Sequence, residues 1–412
     1  MATVRWLGRQ KNKKQVNTIT PASVAATNTF TVTINGKSIT YTAVDTLVAT
    51  VTAGLVALLT ASDVPEEFKE ITWTDSVTLV TATANEAGKP FTQTSSAAGG
   101  TATNVTATTT ANVSQNDVND GVNWSTGAVP AATDTIVVEN TSSSLLWNLE
   151  ALAANTYAEL RILSTFTGTI GLPQDNGNYN EYRPLYFKAG FTLVNIGQGD
   201  GQGSQRIRID GAAVASTVAV FSTGQSADAG LPAVLWKGTA TTNILEAYGN
   251  AQVGVGLLAG EAAAILTLSV AGSAQVRCGP SVTLSAANST TKVGGRGAQL
   301  TTDSALVTAT VTKEGGTHTL LSGNVTTNLQ VHGGKVSYRG AGTITLAEVR
   351  DGGELTFADD ATARTITTLN LYSGAVYRDP FQSVTWTNAV FIETSLDKIT
   401  LDLGSDFRLQ RS

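Results

Sequence analysis

Residues 245–253 (LEAYGNAQV) and 268–276 (LSVAGSAQV) repeat one pattern, in which a short alternating strand, a glycine and a second short strand follow one another. Five later segments align with them: TKVGGRGAQL (291–300), TKEGGTHTL (312–320), QVHGGKVSY (330–338), EVRDGGELTF (348–357) and LYSGAVYR (371–378). Their glycines, Gly249, Gly272, Gly295, Gly316, Gly334, Gly353 and Gly374, are spaced 23, 23, 21, 18, 19 and 21 residues apart. One recurring corner about every 20 residues is typical of solenoid rungs, whereas the turns of a β-sandwich recur every ~8–12 residues. The sequence therefore predicts a right-handed parallel β-helix over residues 121–390.

The composition favours a mostly β protein of low charge. The chain has 412 residues with 40 glycines, and charged residues make up 14%, against roughly 25% in an ordinary globular domain. Threonine and valine suit a pleated sheet, and glycine permits tight corners. A single cysteine, Cys278, excludes an intrachain disulfide framework, and two histidines, His318 and His332, are too few for a histidine-rich metal centre. We expect no cofactor and no bound metal.

A small α+β domain is predicted over residues 21–97. Residues 30–34 (FTVTI) alternate, and Asn35-Gly36 is a strong hairpin signal between this run and the next. Apolar residues at three- and four-residue spacing predict a helix over residues 46–60. Residues 98–120 contain neither an aromatic nor a basic residue, which predicts a low-complexity linker. Residues 391–412 are expected to form a cap or a last strand.

The amino terminus is a basic arm on an acidic body. The net charge is −6, yet residues 1–44 contain six cations and no acid. No apolar run of ~7–15 residues follows the first cations, so we expect no secretion signal, and residues 47–59 are too short to span a membrane. Cations around one bulky apolar pair suit an arm that docks on an acidic protein surface and becomes ordered only when bound. The predicted attachment arm, residues 1–20, contains Arg5, Trp6, Leu7, Arg9, Lys11, Lys13 and Lys14.

Few residues offer catalytic or metal chemistry. Glycan hydrolysis needs two carboxylates facing one groove, but the adjacent Asp359 and Asp360 would point to opposite faces of a strand and reach solvent together only in a turn. Glu354 lies on a similar charged rim. No nucleophile element accompanies the two histidines. The glycine-rich loop around Asp200 is read as an excursion between rungs, with a calcium loop as the alternative. We predict that the chain is not an enzyme.

The densest aromatic cluster leaves three interpretations open. It consists of Tyr179, Tyr182, Arg183, Tyr186 and Phe187. Tyrosine and arginine are favoured at the centres of protein interfaces, and aromatic rings also stack on sugars. The cluster is therefore a packed loop, a protein interface or a glycan platform. Nucleic-acid binding is not expected, because the body is acidic and lacks strands with interleaved aromatic residues.

Two parts of the chain resemble known families. MATVRWLG, FTVTINGKSITYTA, DTLVATVTAGLVALL and VTLVTATANEAGKPFTQTSSA, within residues 1–97, resemble a module of virion proteins from tailed phages and prophages. The segment NWSTGAVPAATDTIV (residues 123–137) resembles the start of parallel β-helices in bacterial surface proteins and phage-derived proteins, where the tryptophan covers the open end of the first coil. The resemblance implies a structural protein of a phage particle and brings no catalytic residues.

The expected function follows from that resemblance. The chain would be a non-enzymatic virion component that decorates or stabilises the capsid, made in the host cytoplasm, with capsid or tail proteins as partners. Because flat, charge-poor β-helix faces are commonly buried against symmetry mates, we expect a homotrimer. Two alternatives remain: a tail fibre or tailspike that binds or cleaves host glycan, and a bacterial surface adhesin. Neither nucleic acid nor a membrane is an expected partner.

Overall fold

The computed structural model describes residues 2–405 except residues 285–288, 313, 323–324 and 394–398. Strands make up 44% of the chain and helices 5%, which confirms the prediction of a mostly β protein. The predicted cap at 391–412 lies partly outside the described residues. Residues 406–412, the second half of the tail sequence, lie entirely outside them.

The first third of the chain mixes strands with short helices. Its strands are β1 (Thr3–Arg5), β2 (Val16–Ala22), β3 (Thr29–Ile34), β4 (Lys37–Thr42), β5 (Ile71–Asp75), β6 (Val80–Ala84), β7 (Gln93–Ala98) and β8 (Thr103–Thr110). Its helical elements are α1 (Val48–Leu59), α2 (Glu66–Lys69) and a 3₁₀ turn (Gly121–Asn123).

The remaining described chain is built from short strands. They are β9 (Thr135–Val138), β10 (Thr156–Leu163), β11 (Phe187–Lys188), β12 (Gly190–Gln198), β13 (Ile207–Asp210), β14 (Thr217–Val220), β15 (Val234–Lys237), β16 (Ile244–Ala247), β17 (Gln252–Val255), β18 (Ala263–Ala264), β19 (Thr267–Ala271), β20 (Gln275–Cys278), β21 (Val282–Thr283), β22 (Thr290–Gly294), β23 (Gln299–Thr302), β24 (Leu306–Val311), β25 (Thr317–Leu320), β26 (Val325–Val331), β27 (Lys335–Tyr338), β28 (Gly342–Val349), β29 (Glu354–Thr356), β30 (Arg364–Leu371), β31 (Val376–Arg378), β32 (Val384–Trp386), β33 (Phe391–Ile392) and β34 (Thr400–Asp402).

Two long parallel sheets organise these strands. Sheet A runs in the order β1-β9-β10-β12-β14-β16-β19-β22-β24-β26-β28-β30-β32, with β33 also on β30. Sheet B runs β11-β13-β15-β17-β20-β23-β25-β27-β29-β31-β34. From β22 to β31 the chain alternates between the sheets, and each strand pairs with its counterpart one turn earlier. This arrangement is consistent with a β-helix-like solenoid, and the two sheets together are called the solenoid below.

A ladder of apolar side chains lies on the buried face of sheet A. Val270, Val293, Val311, Val331 and Val349 are register partners in successive strands, and each is almost fully buried. Burying side chains of this size stabilises the fold by about 1.5–3 kcal/mol each. The inward alternation of apolar residues that the sequence shows is therefore what holds successive turns together.

The recurring glycines occupy stacked corners. Gly334 has φ +64°, and a Cβ built on it would lie 2.2 Å from the carbonyl oxygen of Gly316 in the preceding turn. Such a corner needs glycine both for its left-handed backbone and for the close approach of two chains. The alignment is wrong by one residue at Gly353, because Gly352 takes the left-handed conformation there, at φ +82°. A Cβ on Gly353 would nevertheless meet the carbonyl oxygen of Val331 at 2.4 Å.

Residues 16–110, called the N-terminal unit below, contain two antiparallel sheets, β5-β6-β2-β8 and β4-β3-β7, together with both helices. The hairpin turn at Asn35-Gly36 is as predicted, with φ of +53° and +68°. The helix begins and ends within two residues of its predicted limits. The unit also has its own apolar core, which includes Phe30, Leu55 and Phe68.

Both predicted boundaries of this region cut through its sheet. Strand β2 begins inside the predicted arm of residues 1–20, and β8 lies inside the predicted linker of residues 98–120. The two strands pair with each other, with Ile19 opposite Thr106. Strand β8 is an edge strand whose side chains are mostly exposed, so it lacks the apolar alternation by which sequence reveals a strand.

Candidate functional site

The first residues of the chain belong to the solenoid. Strand β1 pairs in parallel with β9 at one end of sheet A. Trp6 follows it with 1% of its surface exposed, and its Nε1 donates a hydrogen bond to the carbonyl oxygen of Ser143 at 2.8 Å. Its ring packs edge-on against Trp124, with centroids 4.9 Å apart. The prediction of an arm that is ordered only when bound, with Trp6 as its contact residue, is therefore wrong for this fold.

The backbone of the basic stretch, residues 9–14, is fixed by hydrogen bonds to the segment that follows strand β8. The amide of Gln10 donates to Asn123 Oδ1 at 2.9 Å, and the amide of Lys13 donates to the carbonyl oxygen of Val113 at 2.8 Å. Each bond joins the stretch to a different point of that segment. The cations are thus carried by an ordered segment and not by a frayed terminus.

The cationic side chains of this stretch face solvent. Arg9, Lys11, Lys13 and Lys14, called the basic surface below, are all exposed. Within the described part of the chain the three lysines form no ion pair, whereas Arg5 is paired with Glu139 at 2.7 Å. Leu7 is half-buried. Arg9 donates to the carbonyl oxygen of Val122 at 3.0 Å and, like the three lysines, has no acidic partner among the described residues, so these four predicted attachment residues retain their charge.

Part of the aromatic cluster joins the solenoid to the N-terminal unit. Tyr179 Oη donates to Glu70 Oε2 at 2.9 Å, and Arg183 Nη1 donates to the carbonyl oxygen of Pro90 at 2.6 Å. Burial raises the pKa of Tyr179, so its hydroxyl stays protonated and can donate. Tyr182 completes this joint, which we call the clamp, by accepting a hydrogen bond from the amide of Thr92 at 3.4 Å.

Arg183 lies at the centre of the clamp. It stacks between the rings of Trp147 and Tyr182, with Cζ 4.7 and 5.0 Å from their centroids, and donates twice to Glu181 at 2.7 Å. Burial by itself would raise the pKa of Glu181, but the hydrogen bonds and charge of Arg183 lower it below its usual value. The clamp is therefore a packed internal interface, and sequence could not identify Glu70 and Pro90 as its partners.

The other two members of the cluster lie elsewhere. Phe187 is fully buried in β11. Tyr186 borders an open groove of about 460 Å³. The Nζ atom of Lys237 lies 4.4 Å from the centroid of its ring. Lys237 lies 3.7 Å from both Asp210 and Glu261, which line the same groove. Because these three charged residues come from separate turns of the solenoid, their sequence spacing gave no sign of the groove.

The adjacent carboxylates at 359 and 360 have different partners. Asp359 accepts a hydrogen bond from the Ser337 hydroxyl, and that bond is the main reason its pKa is lowered. Asp360 accepts from the amide and the hydroxyl of Thr362, at 2.8 and 2.7 Å, which lowers its pKa. A general acid needs a raised pKa to hold its proton at neutral pH. Neither side chain is prepared for that role.

Glu354 belongs to a charged ladder across sheet B. Its carboxylate lies 3.4 Å from Lys335 in the preceding strand and 3.2 Å from Arg378 in the following one. Arg378 in turn lies 3.5 Å from Asp402. Alternating charges on neighbouring strands favour this pairing of strands, so the ladder has a structural explanation.

Both histidines and the cysteine also have structural settings. His318 is fully buried, its Nε2 lies 3.0 Å from Thr302 Oγ1, and burial lowers its pKa to about 3. His332 contacts Arg350 through Nε2 at 2.9 Å. Burial raises the pKa of the Cys278 thiol to about 12, which removes the thiolate that a nucleophile requires.

The glycine-rich loop at residues 197–203 closes on its neighbouring turn. The amide of Gly201 donates to Ser164 Oγ at 2.8 Å, while Asp200 is exposed. Across the described ranges, three or more His, Cys, Asp or Glu side chains do not come together in a group that could hold a metal ion. Among the helices of the described residues, none has the length and apolar character needed to cross a membrane.

Comparison with protein-family models, curated proteins and solved structures finds no match to this chain. Its surface offers a fixed group of cations, an open polar groove and an exposed apolar helix face. Of these, the basic surface has the chemistry to bind an acidic protein, since long-range attraction and charge-assisted hydrogen bonds need no catalytic group.

Proposed function

We propose that this chain is a non-enzymatic structural component of a tailed-phage or prophage particle, bound to the capsid through its N-terminal region. In this proposal the solenoid is a right-handed parallel β-helix and the N-terminal unit is an α+β module of virion proteins. The protein is made in the host cytoplasm and functions in the virion as a homotrimer, with capsid or tail proteins as its partners.

The observation that carries the proposal is the ordered basic surface. Hydrogen bonds to Asn123 and Val113 hold its backbone in place before any partner binds. Docking a preordered segment loses less conformational entropy than docking a free arm. Unpaired lysines on such a segment would steer the chain to an acidic lattice and fix its orientation there.

The settings of the candidate catalytic groups support a role without catalysis. Asp359 and Asp360 bind neighbouring hydroxyl and amide groups, and Glu354 belongs to a ladder of ion pairs. His318 is buried against Thr302. Each group thus contributes to turns or strand pairing, and the lowered pKa of Asp359 and of Asp360 disfavours a role as general acid.

A row of threonines on the outer side of sheet A supports the proposed trimer. Thr267, Thr290 and Thr308 are register partners on successive strands and are half-buried. A flat row of uncharged side chains can pack against a symmetry mate without the cost of desolvating charge. Sedimentation of the purified protein would give three times the chain mass, whereas a monomer at micromolar concentration would contradict the trimer.

Charge reversal on the basic surface tests attachment. The triple variant K11E/K13E/K14E is introduced into the phage that encodes the chain, and its copies per purified particle are counted by quantitative mass spectrometry. We expect at least a tenfold loss from particles with no change in the melting temperature of the isolated protein. The matched control, R277E/R296E, reverses two exposed cations of the solenoid that lie away from the outer side of sheet A, and it should be retained. Wild-type incorporation of the triple variant would reject attachment through this surface.

The groove beside Tyr186 favours a second candidate function, a tail fibre or tailspike that binds host glycan. Lys237, Asp210 and Glu261 line this groove and offer charged hydrogen-bonding groups to a sugar, while the buried ring of Tyr186 supports Lys237 from below. Calorimetric titration with polysaccharide from the host surface tests it. Saturable binding by the wild type that is weaker in Lys237→Ala would favour this candidate. Equal binding heats for the wild type and Lys237→Ala would contradict it.

A further inference from the structure

The chain contains two Asn-Gly dipeptides, and they lie in different surroundings. Asn35-Gly36 forms the turn between β3 and β4, and Asn176-Gly177 lies in a small loop closed by the bridge between residues 175 and 180. In both, the asparagine is half-buried and the glycine is exposed. Glycine has no Cβ to shield its backbone nitrogen, so that nitrogen can attack the preceding side-chain amide. The two sites therefore offer the same reaction in two settings of similar exposure.

A carboxylate contacts the nucleophilic nitrogen of the second site. The backbone amide of Gly177 donates a hydrogen bond to Asp175 Oδ1 at 2.8 Å. A general base must lie within about 2.6–3.2 Å of the atom whose proton it takes. Asp175 meets this requirement in the folded chain, and its exposed side chain can exchange protons with water.

Two backbone amides point at the oxygen on which negative charge develops during such an attack. Asn176 Oδ1 accepts hydrogen bonds from the amides of Asn178 and Tyr179, both at 3.1 Å. Donors at this distance stabilise the oxyanion of a tetrahedral intermediate. The Nδ2 atom of Asn176 is buried and has no hydrogen-bond partner among the described residues, so no such bond holds the leaving group in place.

The first site lacks these features. Asn35 donates through Nδ2 to Glu67 Oε1 at 2.9 Å, a hydrogen bond that loss of ammonia would break. Within the ranges that the structure describes, Asn35 Oδ1 accepts no hydrogen bond, and no carboxylate accepts from the amide of Gly36. The folded chain therefore favours the reaction at one site and not at the other.

We propose that Asn176 deamidates spontaneously in the folded protein, with Asp175 as the general base. The Gly177 nitrogen gives its proton to the Asp175 carboxylate and forms a bond to Cγ of Asn176. The Cγ–Nδ2 bond then breaks, and ammonia leaves with that proton. Water opens the resulting succinimide ring and leaves aspartate or isoaspartate at position 176.

The modification changes the loop that presents Tyr179 to the clamp. The amide of Asn176 donates to the carbonyl oxygen of Tyr179 at 3.2 Å, and Tyr179 Oη donates to Glu70. Isoaspartate adds a methylene group to the main chain inside this turn, so the turn cannot close in the same way. The reaction therefore acts on the joint between the solenoid and the N-terminal unit, and it does not depend on the proposed function.

The two sites form a matched pair within one molecule. The full chain is incubated at neutral pH and digested with trypsin, which places the two asparagines on different peptides, and mass spectrometry follows conversion of each amide to an acid. In the folded protein we expect position 176 to react at least about tenfold faster than position 35. In urea the two rates should be similar. An equal or faster rate at position 35 in the folded protein would overturn the proposal, and so would a difference that persists in urea.

Asp175→Asn separates the base from the hydrogen bond that it accepts. The new side chain keeps an oxygen that accepts from the Gly177 amide but cannot take up its proton. Deamidation at position 176 should slow by at least about tenfold, the usual contribution of a general base or less. The rate at position 35 and the circular dichroism spectrum should not change, which controls for the fold. An unchanged rate at position 176 would contradict the role of the carboxylate.

Discussion

Trp6 packs edge-on against Trp124, with ring centroids 4.9 Å apart and an interplanar angle of 72°. The two residues are 118 positions apart, and both are buried in the core of the solenoid. The N-terminal strand β1 is the end strand of sheet A, and Trp6 ties it to the core through this contact. Stability of the solenoid should therefore depend on the first six residues.

Replacing Trp6 by alanine is expected to destabilise the protein by about 3–5 kcal/mol, the usual cost of removing a buried tryptophan. The measurement is urea unfolding followed by tryptophan fluorescence and circular dichroism. Lys11→Ala, a few residues away on the exposed basic surface, is the control and should leave the midpoint unchanged. Equal midpoints for Trp6→Ala and the wild type would mean that the solenoid folds without this ring.

The stacked corner at Gly334 should not tolerate a methyl group. Gly334 and Gly36 have similar backbone angles, φ +64° and +68°, but only the added Cβ at Gly334 meets a neighbour, Gly316, within 4 Å. Gly36→Ala is therefore expected to cost about 1–2 kcal/mol from the left-handed backbone alone. Gly334→Ala should cost at least about 1 kcal/mol more, since crowding adds to that strain. Thermal unfolding compares the two, and equal losses would contradict the close stacking of turns.

Val77 is expected to be replaceable with a gain in stability. It is a β-branched residue with φ +69°, a strained conformation, and its side chain is 61% exposed, so it contributes little packing. Val77→Gly should stabilise the protein by about 0.5–1 kcal/mol, the relief of strain less the added freedom of the unfolded chain. Val105, similarly exposed but within strand β8, is the control. Val105→Gly should destabilise, and a loss of stability in Val77→Gly would contradict the strain.

His318 should make stability depend on pH. Its folded pKa is lowered to about 3 by burial, whereas an unfolded histidine titrates near ~6.5. Below pH 6.5 the unfolded state binds a proton at this histidine and the folded state does not. The free energy of unfolding therefore falls by about 1.4 kcal/mol per pH unit as the pH decreases toward 3. His318→Gln should flatten this slope between pH 6.5 and 5 in denaturant titrations. His332→Gln, at the more exposed histidine, should change it far less.

The sequence predicted the periodic part of the fold well. Repeated glycines and inward-alternating valines identified the turns of the solenoid, because each turn contacts only its neighbours and so repeats the same local requirements. The predicted alignment of the glycine corners is wrong by one residue at Gly353. Two adjacent glycines fit the pattern equally well there, and Gly352 forms the left-handed corner. The hairpin at Asn35-Gly36 was also predicted, since its signal is entirely local.

Contacts between distant segments were not predictable in this way. Strand β1 has three residues, too few for a period, and its partner begins at Thr135. The basic residues around it suggested a free arm, because charge pattern carries no information about backbone pairing. For the clamp, the cluster of aromatic residues was visible, but Tyr179 and Glu70 are 109 positions apart. Sequence identified residues that form an interface and could not show that its other side lies in the same chain.

The most direct test of the proposed virion role is to count this chain in purified particles of the phage that encodes it. Particles are banded on a density gradient, stripped of loosely bound protein in high salt and analysed by quantitative mass spectrometry. We expect the chain at a fixed ratio to the major capsid protein, in a multiple of three copies at each site it occupies. Its absence from particles, with all of it recovered in the soluble lysate or on the bacterial surface, would contradict the proposal.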